Sequence, residues 1–78
     1  MKQQTKLIKY WKGKGYFVIN LIVCTPIGMP DIIALKPDKV VFIESKEGND
    51  GLSSLQKVWL NRLSKKGFEC YVNYDLWI

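Results

Sequence analysis

The 78-residue sequence has no histidine, only two cysteines, and seven acidic residues against twelve basic ones. Without histidine, a Ser-His-Asp triad, a Cys-His pair and a Cys/His zinc site are all excluded. Cys24 and Cys70 lie far apart with no CxxC spacing, so they are expected to be buried, inert thiols. No apolar run is long enough to span a bilayer, and no hydrophobic signal segment follows the N-terminal lysines. The expectation is an intracellular, cytoplasmic protein in a reducing compartment.

What is present is a basic, apolar-rich chain. The size is that of a single domain, residues 1–78, with a core only marginally sufficient for its surface. A hydrophobic content of 47%, with three Trp, four Tyr and an apolar tail of Leu76, Trp77 and Ile78, leaves material for a homo-oligomer interface or for closing the monomer core. The formal charge is +5. Lys2, Lys6, Lys9, Lys12 and Lys14 gather early, and Lys57, Arg62, Lys65 and Lys66 late. Such an excess favours a polyphosphate partner through counterion release; the other reading is that these lysines are the solvated faces of two helices.

Residues 2–12 place Gln4, Leu7, Ile8 and Trp11 on one helical stripe, stopped by Gly13 and Gly15. Residues 16–23, YFVINLIV, read as a strand covered on both faces. Two short runs, Asp31 to Leu35 and Val40 to Ser45, flank KPDK and read as an antiparallel hairpin. A second helix opens at Ser53 with Gln56 three residues on, the capping-box pattern, followed by a stripe of Leu52, Leu55, Trp59 and Leu63 and a stop at Gly67. The last strand, Glu69 to Tyr74, should return parallel to the Val40 strand by a right-handed crossover. The fold class is α/β, in the order α-β-β-β-α-β, with a mixed sheet between two helices.

If KPDK pairs Leu35 with Val40, paired residue numbers sum to 75 and Asp31 falls opposite Glu44 on one face, with Lys46 on that face two residues further on. Pro37 bars a type I′ turn, so the hairpin needs a four-residue type I loop or a bulged one that would shift the pairing. Opposed carboxylates repel, and a divalent cation relieves the repulsion; oxygen donors suit Mg²⁺ or Mn²⁺. Lys46 is placed to orient a nucleophile or to neutralise a phosphoryl oxyanion, a combination that hydrolyses phosphodiesters without histidine. The plainer alternative is a surface turn acid beside a solvated ion pair.

Asp31 in GMPD, with Glu44-Ser45-Lys46 on the next strand, resembles the PD-(D/E)xK nuclease signature, and the element order resembles that superfamily's restriction-endonuclease-like core. The run GMPDIIALKPDKVVFIESKEGNDGLSSLQKVWLNRLSKKGFECYV resembles, more closely, the VRR-NUC (virus-type replication-repair nuclease) family. The likeness lies in G-x-P-D, the E-x-K strand, the L-S-x-x-Q helix start and the glycine after the helix. It implies a stand-alone, phage-like form. It also implies metal binding by Asp31, Glu44 and the Ser45 main-chain carbonyl, catalysis by Lys46, and an active-site role for Gln56, which the capping box alone would also explain. Where such proteins often carry a first-helix glutamate, this chain has Gln3 and Gln4, so Gln4 is the candidate neutral ligand and a one-metal site, or one with a weak second metal, is favoured.

The resulting expectation is a Mg²⁺- or Mn²⁺-dependent DNA endonuclease. By resemblance it acts as a homodimer on branched DNA such as four-way junctions, with Lys2, Lys6, Lys9, Lys12, Lys14 and Lys57 following phosphates. Two further readings are a catalytically weak DNA-binding module that retains the fold, and a small structural protein whose charges only solubilise it.

Overall fold

The computed structural model describes residues 2–21 and 28–77. Its elements are α1 (Gln3–Gly13), β1 (Phe17–Asn20), β2 (Ile32–Lys36), β3 (Lys39–Glu44), α2 (Ser54–Lys65), β4 (Glu69–Val72) and β5 (Asp75–Leu76). They form one mixed sheet in the order β1-β2-β3-β4-β5, antiparallel throughout except for the parallel β3–β4 pair. The order expected from the sequence is present, with one strand added.

The hairpin register is the one that the KPDK spacing implies: Leu35 faces Val40 and Ile32 faces Ile43. Lys36 and Lys39 also pair, leaving Pro37 and Asp38 as the turn, and neither takes a positive φ. No bulge shifts the ladder. Proline's fixed φ suits the first corner of a turn with negative dihedrals, so the tight loop forms without the primed geometry.

Alternation along the strands builds a core on each side of the sheet. Ile32, Ala34, Val41 and Ile43 meet Leu7 and Trp11 of α1. On the opposite face Phe42 and Cys70 meet Leu60 of α2, with Met29, Ile33, Leu52, Leu63 and Trp77 around them. Cys70 is fully buried, and burial raises its thiol above the ordinary range, as expected of an inert thiol; Cys24 lies outside the described residues.

Three expectations need correction. The strand covered on both faces is β3, whereas β1 lies at the sheet edge with Phe17 70% exposed. It ends at Asn20, and the remainder of the YFVINLIV run beyond Leu21 lies outside the described residues. Val18 of β1 packs on the α1 side, and Ile19 is half-buried on the opposite face beside Ile33, away from α2, which lies against β4.

The inward residue of α2 is Leu60, while Leu55 is half exposed and packs its backbone against Gly28. The stripe is rotated because the helix lies against β4 as the crossover unit, with Gln56 and Leu63 flanking Leu60's side.

The last strand stops at Val72. Asn73 takes a left-handed φ of 54°, which reverses the chain into β5 and leaves Tyr74 in the turn. Within the apolar tail, Trp77 returns to its own chain, packing on the α2 side and donating from Nε1 to Asn61 Oδ1 at 2.9 Å, while Leu76 stays exposed. Ile78 lies outside the described residues.

Candidate active site at the open end of the β2–β3 hairpin

The hairpin ladder, carried one pair beyond Ile32–Ile43, sets Asp31 opposite Glu44. Pro30 before it is fully buried, which anchors the chain where it enters β2. The Asp31 carbonyl accepts from Leu21 N–H at 2.7 Å, and its carboxylate Oδ2 accepts from Ser45 N–H at 3.2 Å. The acid is thus tied by its backbone to the end of β1 and by its side chain to the residue after β3.

Glu44 ends the strand that both helices cover, and it is 2% exposed. Its Oε2 accepts from Gln56 Nε2 at 3.3 Å. Its Oε1 is buried with no hydrogen-bond partner among the described residues. Burial first, then contact and charge from Asp31, push its carboxyl from an ordinary 4.5 up to about 8, and Lys46 pulls the other way. A buried carboxylate with a bare oxygen and a like-charged neighbour is an unstable arrangement without a cation or a proton. Two carboxylates and the Ser45 carbonyl are hard oxygen donors of the kind a divalent cation takes, but among the described residues no group of three or more His, Cys, Asp or Glu comes together.

Gln56 completes the capping box and also reaches Glu44. Its Oε1 accepts from Ser53 N–H at 2.8 Å and its own N–H donates to Ser53 Oγ at 3.2 Å, completing the capping box. The remaining Nε2 is the group that reaches Glu44.

Gln4 lies in an open cleft of about 350 Å³ lined also by Lys2, Thr5, Ile8, Asn20, Leu21 and Asp31. Its Nε2 donates to Asn20 Oδ1. The first-helix amide therefore shares the cleft with Asp31. Lys2 borders that cleft, and Lys6, Lys9 and Lys12 are exposed along α1. Lys14 is exposed too and sets its ammonium 4.7 Å from the Tyr10 ring centre, while Lys57 is exposed on the first turn of α2 beside Gln56.

Glu47 and Asn73, which no sequence motif marks, shape the site together with Gly28 of the G-x-P-D motif. Gly28, at φ +97°, lies so close to α2 that a Cβ there would stand 3.0 Å from Leu55 Cβ and 3.1 Å from its backbone, which gives the first letter of G-x-P-D a physical cause. Glu47, just past Lys46, accepts from the Gln3 N–H at 2.8 Å and so caps α1, whose own N-cap position, Lys2, makes no side-chain cap. Asn73 contacts both Glu44 and Lys46. Asn73 carries a local signal of another kind, asparagine being a tolerant residue in left-handed turns.

Residues 24–74 match the family model of the VRR-NUC domain. A 41-residue stretch, 53% of this chain, is 46% identical to a UPF0102 protein of Fervidobacterium nodosum, and it covers 31% of that protein. The match thus spans about a third of the relative's length. The family match takes in Asp31, Glu44, Ser45, Lys46 and Gln56 together with the hairpin, the crossover helix and β4. On this span, well over half of its length, the chain belongs to the VRR-NUC family of nuclease-like domains.

Proposed function

We propose that the protein is a divalent-metal-dependent endonuclease that hydrolyses DNA phosphodiester bonds at the Asp31–Glu44 pair. The observation that carries this reading is Glu44: a buried carboxyl facing a second carboxylate, one oxygen held by Gln56 and the other without a protein partner among the described residues. Asp31, Glu44 and the Ser45 carbonyl would hold Mg²⁺ or Mn²⁺, with Gln4 as a neutral fourth candidate across the cleft. When bound, the cation supplies Lewis-acid polarisation of a phosphoryl oxygen and a water acidified toward neutral pH. Lys46, whose charge already acts on Glu44, stabilises negative charge on the phosphoryl group or holds the nucleophile. Gln56 keeps Glu44 oriented.

Lys2 at the rim of the cleft and the exposed Lys6, Lys9, Lys12, Lys14 and Lys57 would supply phosphate contacts. Branched DNA with near-twofold symmetry, such as a four-way junction, fits a homodimer that offers one site to each strand. The exposed Leu76 and the α2 residues Leu55 and Val58 are candidates for its interface.

The site's low count of carboxylates favours one alternative, a DNA-binding module with weak or absent cleavage. A single assay separates the two. Duplex, flap and four-way substrates are incubated with the purified protein in Mg²⁺ or Mn²⁺, beside Glu44→Gln and Lys46→Ala. Cleavage by the wild type, lost in both variants, supports the nuclease. Binding without cleavage in either metal gives the module, and full activity of Glu44→Gln removes the site assignment. Light scattering on the same sample that finds only a 9.1 kDa monomer, with unchanged junction cleavage, overturns the dimer.

A further inference from the structure

We infer that Asn73 is a positioning residue that aims the Ser45 carbonyl and Lys46 into the Asp31–Glu44 site. This rests on the nuclease reading above and adds to it the element that sets the active-site backbone.

The parallel β3–β4 ladder has Glu44 opposite Val72 as its last pair. Beyond it both chains leave the sheet, and the backbone of Ser45 and Lys46 would be free to turn. Asn73 prevents this with three hydrogen bonds. Its N–H donates to the Glu44 carbonyl at 2.8 Å. Its side-chain Oδ1 accepts from Lys46 N–H at 2.9 Å, and its Nδ2 donates to the Lys46 carbonyl at 3.1 Å. A side-chain amide, with one donor and one acceptor, here does what a peptide group of a longer strand would do. The left-handed φ of 54° brings the amide back across the end of the ladder, a conformation that asparagine tolerates better than most residues.

The consequence follows from peptide planarity. The Ser45–Lys46 peptide is a trans unit, so its C=O and N–H point in opposite directions. With Lys46 N–H fixed toward Asn73, on the β4 side, the Ser45 carbonyl is turned to the opposite side, toward β2. That is the side of Asp31, as the hydrogen bond from Ser45 N–H to Asp31 Oδ2 shows. The clasp therefore directs the proposed backbone ligand toward the carboxylate pair and fixes the Cα from which the Lys46 side chain projects. Asn73 touches no reacting atom in this scheme.

The test uses Asn73→Gly, which keeps the left-handed backbone and its N–H while deleting the amide, and Asn73→Asp, which keeps the shape and replaces the Nδ2 donor by an oxygen. Asn61→Ala, which removes the Trp77 Nε1 partner elsewhere on the molecule, serves as a control for general destabilisation. For both Asn73 variants, kcat on the best substrate is expected to fall about 10- to 100-fold with KM within about twofold. Mn²⁺ binding to the DNA-free protein, followed by electron paramagnetic resonance, should weaken about 10-fold. The control should leave both unchanged. If either Asn73 variant is folded and has wild-type kcat and Mn²⁺ affinity, the inference is overturned while the nuclease reading stands. A wild type that cuts no DNA removes the nuclease reading, and this inference with it.

Discussion

Gln56 divides one carboxamide between two tasks: its oxygen closes the capping box on Ser53 N–H at 2.8 Å, and its nitrogen reaches the buried Glu44 Oε2 at 3.3 Å. The helix start and the carboxylate are thus connected through a single side chain. Gln56→Glu preserves the cap oxygen but turns a third negative group toward the pair. It should therefore cost more stability at pH 8 than at pH 5, where protonation relieves the repulsion. Gln56→Ala loses the cap reciprocally, at about 0.5–2 kcal/mol, with little pH dependence of its own. Urea unfolding of both variants in EDTA at the two pH values checks this, and equal losses for Gln56→Glu at both would contradict it.

Glu44 gives stability a pH dependence of known sign. Its folded carboxyl is raised to about 8 from an ordinary 4.5, chiefly by burial, so the folded chain binds a proton that the unfolded chain releases. The stabilising contribution is complete below about pH 4.5, falls as pH rises toward 8, and is gone above that. Across that window the loss is on the order of a few kcal/mol. In EDTA, Glu44→Gln should remove this decline and be more stable than wild type at pH 9, and saturating Mn²⁺ should narrow the difference by stabilising the wild type alone. Parallel pH profiles for wild type and variant would refute the shift.

Gly28 meets the backbone of Leu55, which cannot swing aside as a flexible side chain could, and its φ is +97°. Gly28→Ala should displace the first turn of α2 and carry Gln56 away from Glu44. The expected cost is about 1–3 kcal/mol. The expected signature is loss of the Gln56–Glu44 contact in a crystal structure or in side-chain amide NMR shifts; an unchanged Gln56 environment would count against it.

Glu47 supplies α1 with the cap that its own N-terminal residues lack, reaching Gln3 N–H from 44 positions away in sequence. Glu47→Gln should keep most of this bond and lose the charge–dipole part, whereas Glu47→Ala should cost about 0.5–2 kcal/mol. Amide exchange at the first turn of α1 should quicken in Glu47→Ala and stay near wild type elsewhere. Uniform quickening across the sheet would show that the contact is not local.

The parts of this fold set by near neighbours were legible in the sequence. Ser53 and Gln56 are three residues apart, so the cap follows from local chemistry, and the spacing of KPDK offers the observed register beside the bulged one that Pro37 leaves open. What depends on distant packing was not legible. YFVINLIV looks like a central strand, but which strand two helices cover is decided by where α2 lands. Leu55 and Leu60 are equally apolar in sequence, and only the approach of Gly28 and β4 chooses between them. Asp31 and Glu44 could be paired by counting. Asn73 could not, because its contact with Lys46 depends on a chain reversal one residue after β4.

The clasp between Asn73 and Lys46 also has a bearing on the order in which this chain folds. The β2–β3 hairpin closes a two-residue turn, a fast local event, whereas the clasp joins positions 27 apart and requires α2 to have crossed and β4 to have docked. The carboxylates should therefore come face to face before the backbone that completes their site is fixed. In pulse-labelled refolding the Val41 amide should gain protection ahead of the Lys46 amide, and simultaneous protection would argue for one concerted step. A chain halted between the two events would hold its repelling acids together with nothing yet directing the lysine, so competence to cut would be among the last properties acquired on folding.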